Sequence, residues 1–175
     1  MTQTLSNLDR SRGNAHPPKV RLGGFGKHPG WADHITGVGE STTALAELRR
    51  VLYLEGISTT LGNWEDLPPE ARITFDHWVF SVRADRLLLA RVMSSVDRIG
   101  RTDFPFIVAA DIDGASLAAV ISELQPPFAE FARRCRELPT ADAVRAAFAT
   151  DQRVLENRLS QVVERAGGNP VTIAN

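Results

Sequence analysis

The sequence predicts an α/β fold of the α+β kind: a three-layer α/β/α sandwich around a mainly antiparallel sheet, with a three-strand meander and C-terminal helices. Three observations carry that expectation. Three apolar runs of strand length, FDHWVFSVR, RLLLARVMS and FPFIVAADI, follow one another between Phe75 and Ile112. Their connections are short or medium, which favours antiparallel neighbours. From Gly114 onward the apolar residues recur at three- and four-residue steps, the spacing of helices packed on one side.

Taken in order, residues 1–18 are polar and close on Pro17-Pro18, so they read as a flexible tail ahead of a single domain over 19–175. KVRLGGFG alternates apolar and polar residues before it meets glycines, and reads as a short strand entering a loop. GESTTALAELRRVLYLEGI sets Leu45, Leu48, Val51, Leu52 and Tyr53 at helical spacing, with Ser41 or Thr42 to cap it and Gly56 to end it. GNWEDLPPEARI reads as a loop with a short helical turn. The meander follows, with ADR as the connection of its first hairpin and SVDRIGRTD as a long polar loop before its third strand. Trp78, inside the first run, is expected in the core. ASLAAVISEL, PPFAEFARRCREL and TADAVRAAFATDQRVLENRLSQVVERAG are the C-terminal helices. Pro126 suits a first helical turn, Thr140 an N-cap and Gly167-Gly168 a stop. NPVTIAN closes the chain.

Composition narrows the function classes. Lys plus Arg number 20 against 21 Asp plus Glu, a net charge of −1, which gives no broad positive field for nucleic acid or anionic lipid. The first residues hold no apolar segment of a secretory signal, and no run approaches the roughly 18 apolar residues that span a bilayer. A cytoplasmic protein without membrane insertion is expected. The one cysteine, Cys135, allows neither an internal disulfide nor a cysteine-rich metal motif. It lies in a helical pattern and reads as a small buried hydrophobe rather than a nucleophile.

The densest stretch is GGFGKHPGWADHI, Gly23 to Ile35. A phosphate-binding P-loop would need G-x-x-x-x-G-K-[ST]. Here His28 follows Gly26-Lys27 and Arg21 stands where the first glycine belongs, so two required features fail. His28, Asp33, His34, Asp76 and His77 are competent metal ligands by type, but no helical H-x-x-x-H pair gathers them and no metal site is expected. Asp76 and His77 point to opposite faces if their segment is a strand. What remains is a structured turn. Glycines permit close approach, and Pro29 fixes φ and extends His28. Such a turn aims Lys27 and Asp33 in fixed directions, either for an internal ion pair or for a partner. Trp31, flanked by glycine and alanine in that turn, is expected as a lid over the sheet end or as a partner contact.

These residues carry a family resemblance. GFGKHPGWADHI resembles the G-x-x-G-K-x-P-x-x-G-D-F opening of the TagF/ImpM family of type VI secretion-associated accessory proteins. SSVDRIGRTDFPFIVA, Ser94 to Ala109, is similar to that family's P-S-x-D-x-x-G-R-x-F-P-L segment, in the same order along the chain. The matched positions are Gly26, Lys27, Pro29 and Asp33, then Ser95, Asp97, Gly100, Arg101, Phe104 and Pro105. Ala32 stands where a glycine is usual, His34 where an aromatic is usual and Ser94 where a proline is usual. Thr102-Asp103 is one residue longer than the family spacing.

The resemblance implies a cytosolic accessory protein of a bacterial type VI secretion system. Its role would be post-translational control of assembly through a protein partner, a scaffold with a forkhead-associated (FHA) domain. It implies no catalytic activity and no cofactor. Lys27, Asp33, Asp97, Arg98 and Arg101 would form one mixed-charge cluster if the two loops converge, with Asp33 paired to Arg98 or Arg101 and Lys27 facing Asp97. The partner-binding or motif residues are then Gly26, Lys27, Pro29, Trp31, Asp33, Ser95, Asp97, Arg98, Gly100 and Arg101. The alternative is a hydrolase acting on a phosphorylated or nucleotide substrate through Lys27, Asp33 and Arg101.

Overall fold

A computed structural model describes residues 17–57, 59, 68, 74–83, 86–102 and 104–165. The expected tail up to residue 16, the GNWEDLPPEARI loop apart from Pro68, the glycine stop and the NPVTIAN end lie outside those residues. Five strands form one sheet: β1 (Lys19–Gly26), β2 (Ile35–Gly39), β3 (Asp76–Val82), β4 (Arg86–Met93) and β5 (Phe106–Asp113). Every pairing is antiparallel, and the spatial order is β2-β1-β5-β4-β3. The expected meander is β3-β4-β5, and β1 adds to the far side of β5.

Helices cover both faces, which completes three layers. Alternation along the central strands decides which residue faces which layer. Leu87, Leu89, Phe106, Val108, Ala110 and Ile112 face the C-terminal helices, where Phe128, Phe131, Val144 and Phe148 meet them. Leu88, Ala90, Val92, Ile107 and Ala109 face the other way, against Leu45 and Tyr53. Phe128, Phe131 and Phe148 are each 2% exposed or less, so each contributes about 1.5–3 kcal/mol of burial and the C-terminal layer carries most of the core. The glycine pair in β1 is where both layers press in. A Cβ on Gly23 would sit 2.9 Å from Leu45 Cδ1, and one on Gly24 would sit 2.8 Å from Phe148 Cζ.

The layer over β1 and β5 begins with α1 (Thr43–Leu48), capped by Thr42, whose hydroxyl accepts from the Leu45 N–H at 3.2 Å. The sequence pattern predicts a single α-helix capped at Ser41 or Thr42 and ended by Gly56, and the structure adds two features that this pattern does not show. Ile35–Gly39 is strand, and Arg49–Ile57 winds as a π-helix. The wider i→i+5 winding shifts the phase of the apolar face. Tyr53 is therefore buried at 4% exposure while Val51, on the expected face, is 48% exposed.

The other layer starts with α2 (Leu117–Ala119) and passes through a π-helical Val120–Leu124 into α3 (Gln125–Glu137). It ends with the long α4 (Ala141–Arg165). Pro126 stands in the first turn of α3, and the Thr140 hydroxyl accepts from the Ala143 N–H at 3.2 Å at the start of α4.

Trp78 corrects the core expectation. It sits on β3, the sheet edge, and is only half-buried. The helices do not reach fully across that edge, so Phe80 and Val82 on the same strand face are 42% and 45% exposed. The Trp78 ring is held by the Arg91 guanidinium at 4.9 Å and by Phe128 at 6.1 Å between centroids.

Cys135 is fully buried in α3, and burial pushes its thiol up to about 12, with the Arg134 charge working against that rise. A disulfide reagent at pH 8 is expected to label it only after denaturation. Stoichiometric labelling of the folded protein within minutes would contradict this packing.

Candidate functional site

The site lies at one end of the sheet, where β1 leaves through Gly26 and β4 leaves through Met93. Gly26 has φ 107°, and a Cβ there would lie 2.1 Å from the Pro105 carbonyl oxygen. Only glycine fits that turn. The turn sends Lys27 inward, where its N–H donates to the same Pro105 oxygen at 3.1 Å. The Lys27 side chain is fully buried, with Nζ 3.7 Å from Asp97 Oδ2 and 5.7 Å from the Phe104 ring centroid.

Asp97 organises the second loop. Its Oδ1 accepts from the N–H groups of Ile99 and Arg101, both at 3.0 Å, and its Oδ2 accepts from Arg101 Nε at 2.6 Å. Gly100 turns the loop at φ 92°, and its N–H donates to the Asp97 carbonyl at 3.0 Å. Burial works against the Asp97 charge, but the Arg101 bonds, the Ile99 N–H and the Lys27 charge outweigh it. The carboxyl is held below its ordinary value of 3.8.

Beyond the Lys27–Asp97 pair, the two loops are tied at three points. Arg98 N–H donates to the Trp31 carbonyl at 2.8 Å. Arg101 Nη2 donates to the Ala32 carbonyl at 3.0 Å and to Asp33 Oδ1 at 3.2 Å. Asp33 is lowered first by the bond from the His34 N–H, with Arg101 adding to it against a burial cost. Arg101 is raised chiefly by its bond to Asp97. Asp33 thus pairs with Arg101 and Lys27 with Asp97. Arg98 joins through its backbone, and its side chain is exposed.

The first loop is also anchored to the helices. Buried His28 donates from Nε2 to the Cys135 carbonyl at 2.7 Å and accepts at Nδ1 from the Gly30 N–H at 3.0 Å. Those two bonds define a neutral imidazole, and burial pushes its pKa down from 6.5 against the Cys135 bond. Gly30 lets the loop touch α4, since a Cβ there would meet the Ala141 nitrogen at 2.7 Å. Pro29 lies half-buried in this turn. Trp31 is half-buried, edge-on to His28 at 5.3 Å and under the Arg145 guanidinium at 5.6 Å. The Ser95 hydroxyl is buried without a hydrogen-bond partner among the described residues.

The site therefore has an inside and an outside, which the sequence does not distinguish. Lys27 and Asp97 are inside, as the internal pair that is one of the two readings of the sequence. Asp33, Arg98 and Gly100 are exposed, and Trp31 and Arg101 are partly so. Ile99, at the loop tip, is 64% exposed and is the residue the sequence pattern passes over. Its only sequence signal is an isolated apolar residue in a polar loop.

Of the residues weighed as metal ligands, His28, His34, Asp33 and Asp76 have separate partners. His28 holds Cys135, His34 contacts Tyr53, and Asp76 contacts Arg91 across the β3-β4 pair. Among the described residues no group of three or more His, Cys, Asp or Glu gathers as a metal site.

No protein-family model matches the chain, and no curated protein matches it. Among solved structures it is similar to the crystal structure of PA0076 from Pseudomonas aeruginosa PAO1, at 23% identity and a TM-score of 0.51. The match covers 73% of this chain and 61% of that one, so it spans less than two thirds of that protein. At this identity the likeness establishes the shared fold.

Proposed function

We propose that this chain is a cytosolic accessory protein of a bacterial type VI secretion system, in the manner of the TagF/ImpM family. It acts by binding a protein partner, an FHA-domain scaffold, and so controls assembly after translation. One observation carries the reading. The two segments that bear the family resemblance, distant in sequence, are the two loops that lock together through Lys27, Asp97, Arg101 and Asp33. The lock holds Arg98, Ile99 and Asp33 outward on a rigid sheet end, with Trp31 beside them, and loops on rigid scaffolds are where recognition resides. An apolar tip flanked by charges suits a protein surface. No helix of the described residues is long and apolar enough to cross a membrane, which agrees with a partner met outside the bilayer.

The hydrolase reading through Lys27, Asp33 and Arg101 has less support. Lys27 is spent inside the loop pair against Asp97 rather than on the outer side with Asp33.

The test is direct binding between this protein and the purified FHA-domain scaffold of the same secretion system. Arg98→Glu with Ile99→Asp is expected to weaken binding at least about tenfold, the loss of one good interfacial anchor. The melting temperature should stay within a degree or two, because both side chains are exposed. Unchanged affinity in a folded double variant would refute the site, and no binding by the wild type would refute the partner.

A further inference from the structure

A cleft of about 230 Å³ lies between α1 and the β1-β2 pair, on the sheet side that packs Leu45. Its lining includes Gly23, Phe25, Thr36, Gly37, Leu45 and Arg49. The register of the two strands shapes it. Gly24 stands opposite Val38 and Gly26 opposite Ile35, so Phe25 alone faces both Thr36 and Gly37. A bulge of this kind leaves one residue outside the ladder and bends the strand. Gly37 contributes no side chain, and a Cβ there would meet nothing within 4 Å, so the bulge borders open space.

Arg49 is the anomaly. It opens the π-helical stretch after α1, a winding that recurs at functional sites. Among the described residues, the Lys and Arg side chains with no hydrogen bond or ion pair are Lys19, Arg49, Arg98 and Arg153. The other three are exposed, and Arg49 is half-buried. Its Nε is buried with no partner. Nη1 and Nη2 make no hydrogen bond either, but they are not closed off, so the fork of the guanidinium is accessible. Sheltering five donors without an acceptor is costly. Glu40 also lines the cleft and does not fill them. Its Oε1 contacts Gln152, and its Oε2 lies 3.9 Å from Arg21 Nε. The Thr36 hydroxyl, exposed on the rim, is likewise without a partner among the described residues.

We propose that this cleft binds a carboxylate group. Arg49 Nη1 and Nη2 donate to its two oxygens, the planar fork matching a planar acceptor, and the Thr36 hydroxyl donates from the rim. The rest of the ligand leaves through the open side past Gly37 and Ala46. A carboxylate fits better than a phosphate. One cation balances one negative charge, and Glu40 on the same lining opposes a second. The source of the group is either a free carboxylic acid or the Asp or Glu side chain of a partner. The cleft shares no residue with the Lys27, Asp33, Asp97 and Arg101 lock, and the proposal does not depend on the scaffold partner.

The test is an NMR titration of the folded protein with butyrate, with butyramide as the uncharged isostere and inorganic phosphate as the competing oxyanion. Saturable shifts at the Gly37 and Arg49 amides are expected, with butyrate bound at least about tenfold tighter than butyramide. Arg49→Gln should remove that preference without lowering the melting temperature, because the guanidinium has no partner in the fold. Ala46→Trp, at an exposed wall position, should occlude the cleft and abolish binding while leaving Arg49 in place. An acetylated and amidated Gly-Gly-Glu-Gly-Gly peptide forms the second arm. Tighter binding of the peptide assigns the group to a partner's side chain, tighter binding of butyrate assigns it to a small molecule, and either supports the proposal. No saturable shift at high millimolar butyrate, equal affinity for butyramide, tighter binding of phosphate, or butyrate binding that survives Arg49→Gln or Ala46→Trp would overturn it. So would a melting temperature several degrees lower in Arg49→Gln, which would assign the guanidinium to the fold.

Discussion

Asp97→Ala is expected to destabilise the fold by about 3–5 kcal/mol, the usual cost of removing one partner from a buried ion pair. The size follows from what that carboxylate does. It faces the fully buried Lys27 at 3.7 Å, takes Arg101 Nε at 2.6 Å and accepts two backbone N–H groups of its own loop. Alanine leaves the Lys27 charge buried with that counter-charge gone and leaves the two N–H groups to find other acceptors. Urea unfolding of the two proteins measures the difference, and Arg98→Ala in the neighbouring exposed position should leave the midpoint nearly unchanged.

The pH dependence has a definite sign. Folding lowers the Asp97 pKa from its ordinary 3.8, so the contribution is full above that value. It fades as pH falls through the lowered value. The gap between wild type and Asp97→Asn should therefore be wide at neutral pH and shrink below about pH 4. A gap that widened in acid would contradict the assignment of Asp97 as an ionised anchor.

Gly26→Ala is the second large effect. The substitution asks an L-residue to hold φ 107° and places Cβ 2.1 Å from the Pro105 carbonyl oxygen. Backbone cannot move aside as a side-chain tip can. Strain at such a φ costs about 1–3 kcal/mol and overpacking a further 1–3, so a loss of about 2–6 kcal/mol is expected. That carbonyl also receives the Lys27 N–H, so relief of the clash displaces Lys27 from Asp97. A variant with wild-type stability would show that the turn is not as tight as described. Gly100→Ala offers the contrast, because φ is 92° there but nothing lies within 4 Å of the added Cβ. Strain alone then predicts the smaller loss.

The particular residues show what the sequence could and could not reveal. β3, β4 and β5 are legible because each is a strand-length apolar run, and on β4 and β5 alternate side chains enter two different cores. β2 is not, since ITGVG holds two glycines and buries only Ile35 and Val38, too few positions for a periodic signal. The π-helical winding after α1 is invisible because an amphipathic pattern is read at 3.6 residues per turn, and that reading puts Val51 inside. Trp78 looks like core by composition, but being on the edge strand is a property of topology. At the site, opposite charges on two glycine-bearing loops suggest the Lys27–Asp97 and Asp33–Arg101 pairs. Which pair is buried depends on the Gly26 turn and on Phe104 beneath it, and the sequence does not rank them. The exposure of Ile99 follows from Asp97 and Gly100 curling the loop outward, so an apolar residue that composition assigns to the interior becomes the most exposed large hydrophobic among the described residues.

The central claim is that the locked loop pair presents one outer surface to a protein partner. Hydrogen–deuterium exchange of the protein, alone and with the purified FHA-domain scaffold, tests it most directly. Slowed exchange confined to segments 28–34 and 95–102, with α3 and the β3 edge unchanged, is the result this account predicts. Protection centred on the β3 edge or the C-terminal helices, with the two loops exchanging as they do in the free protein, would contradict it.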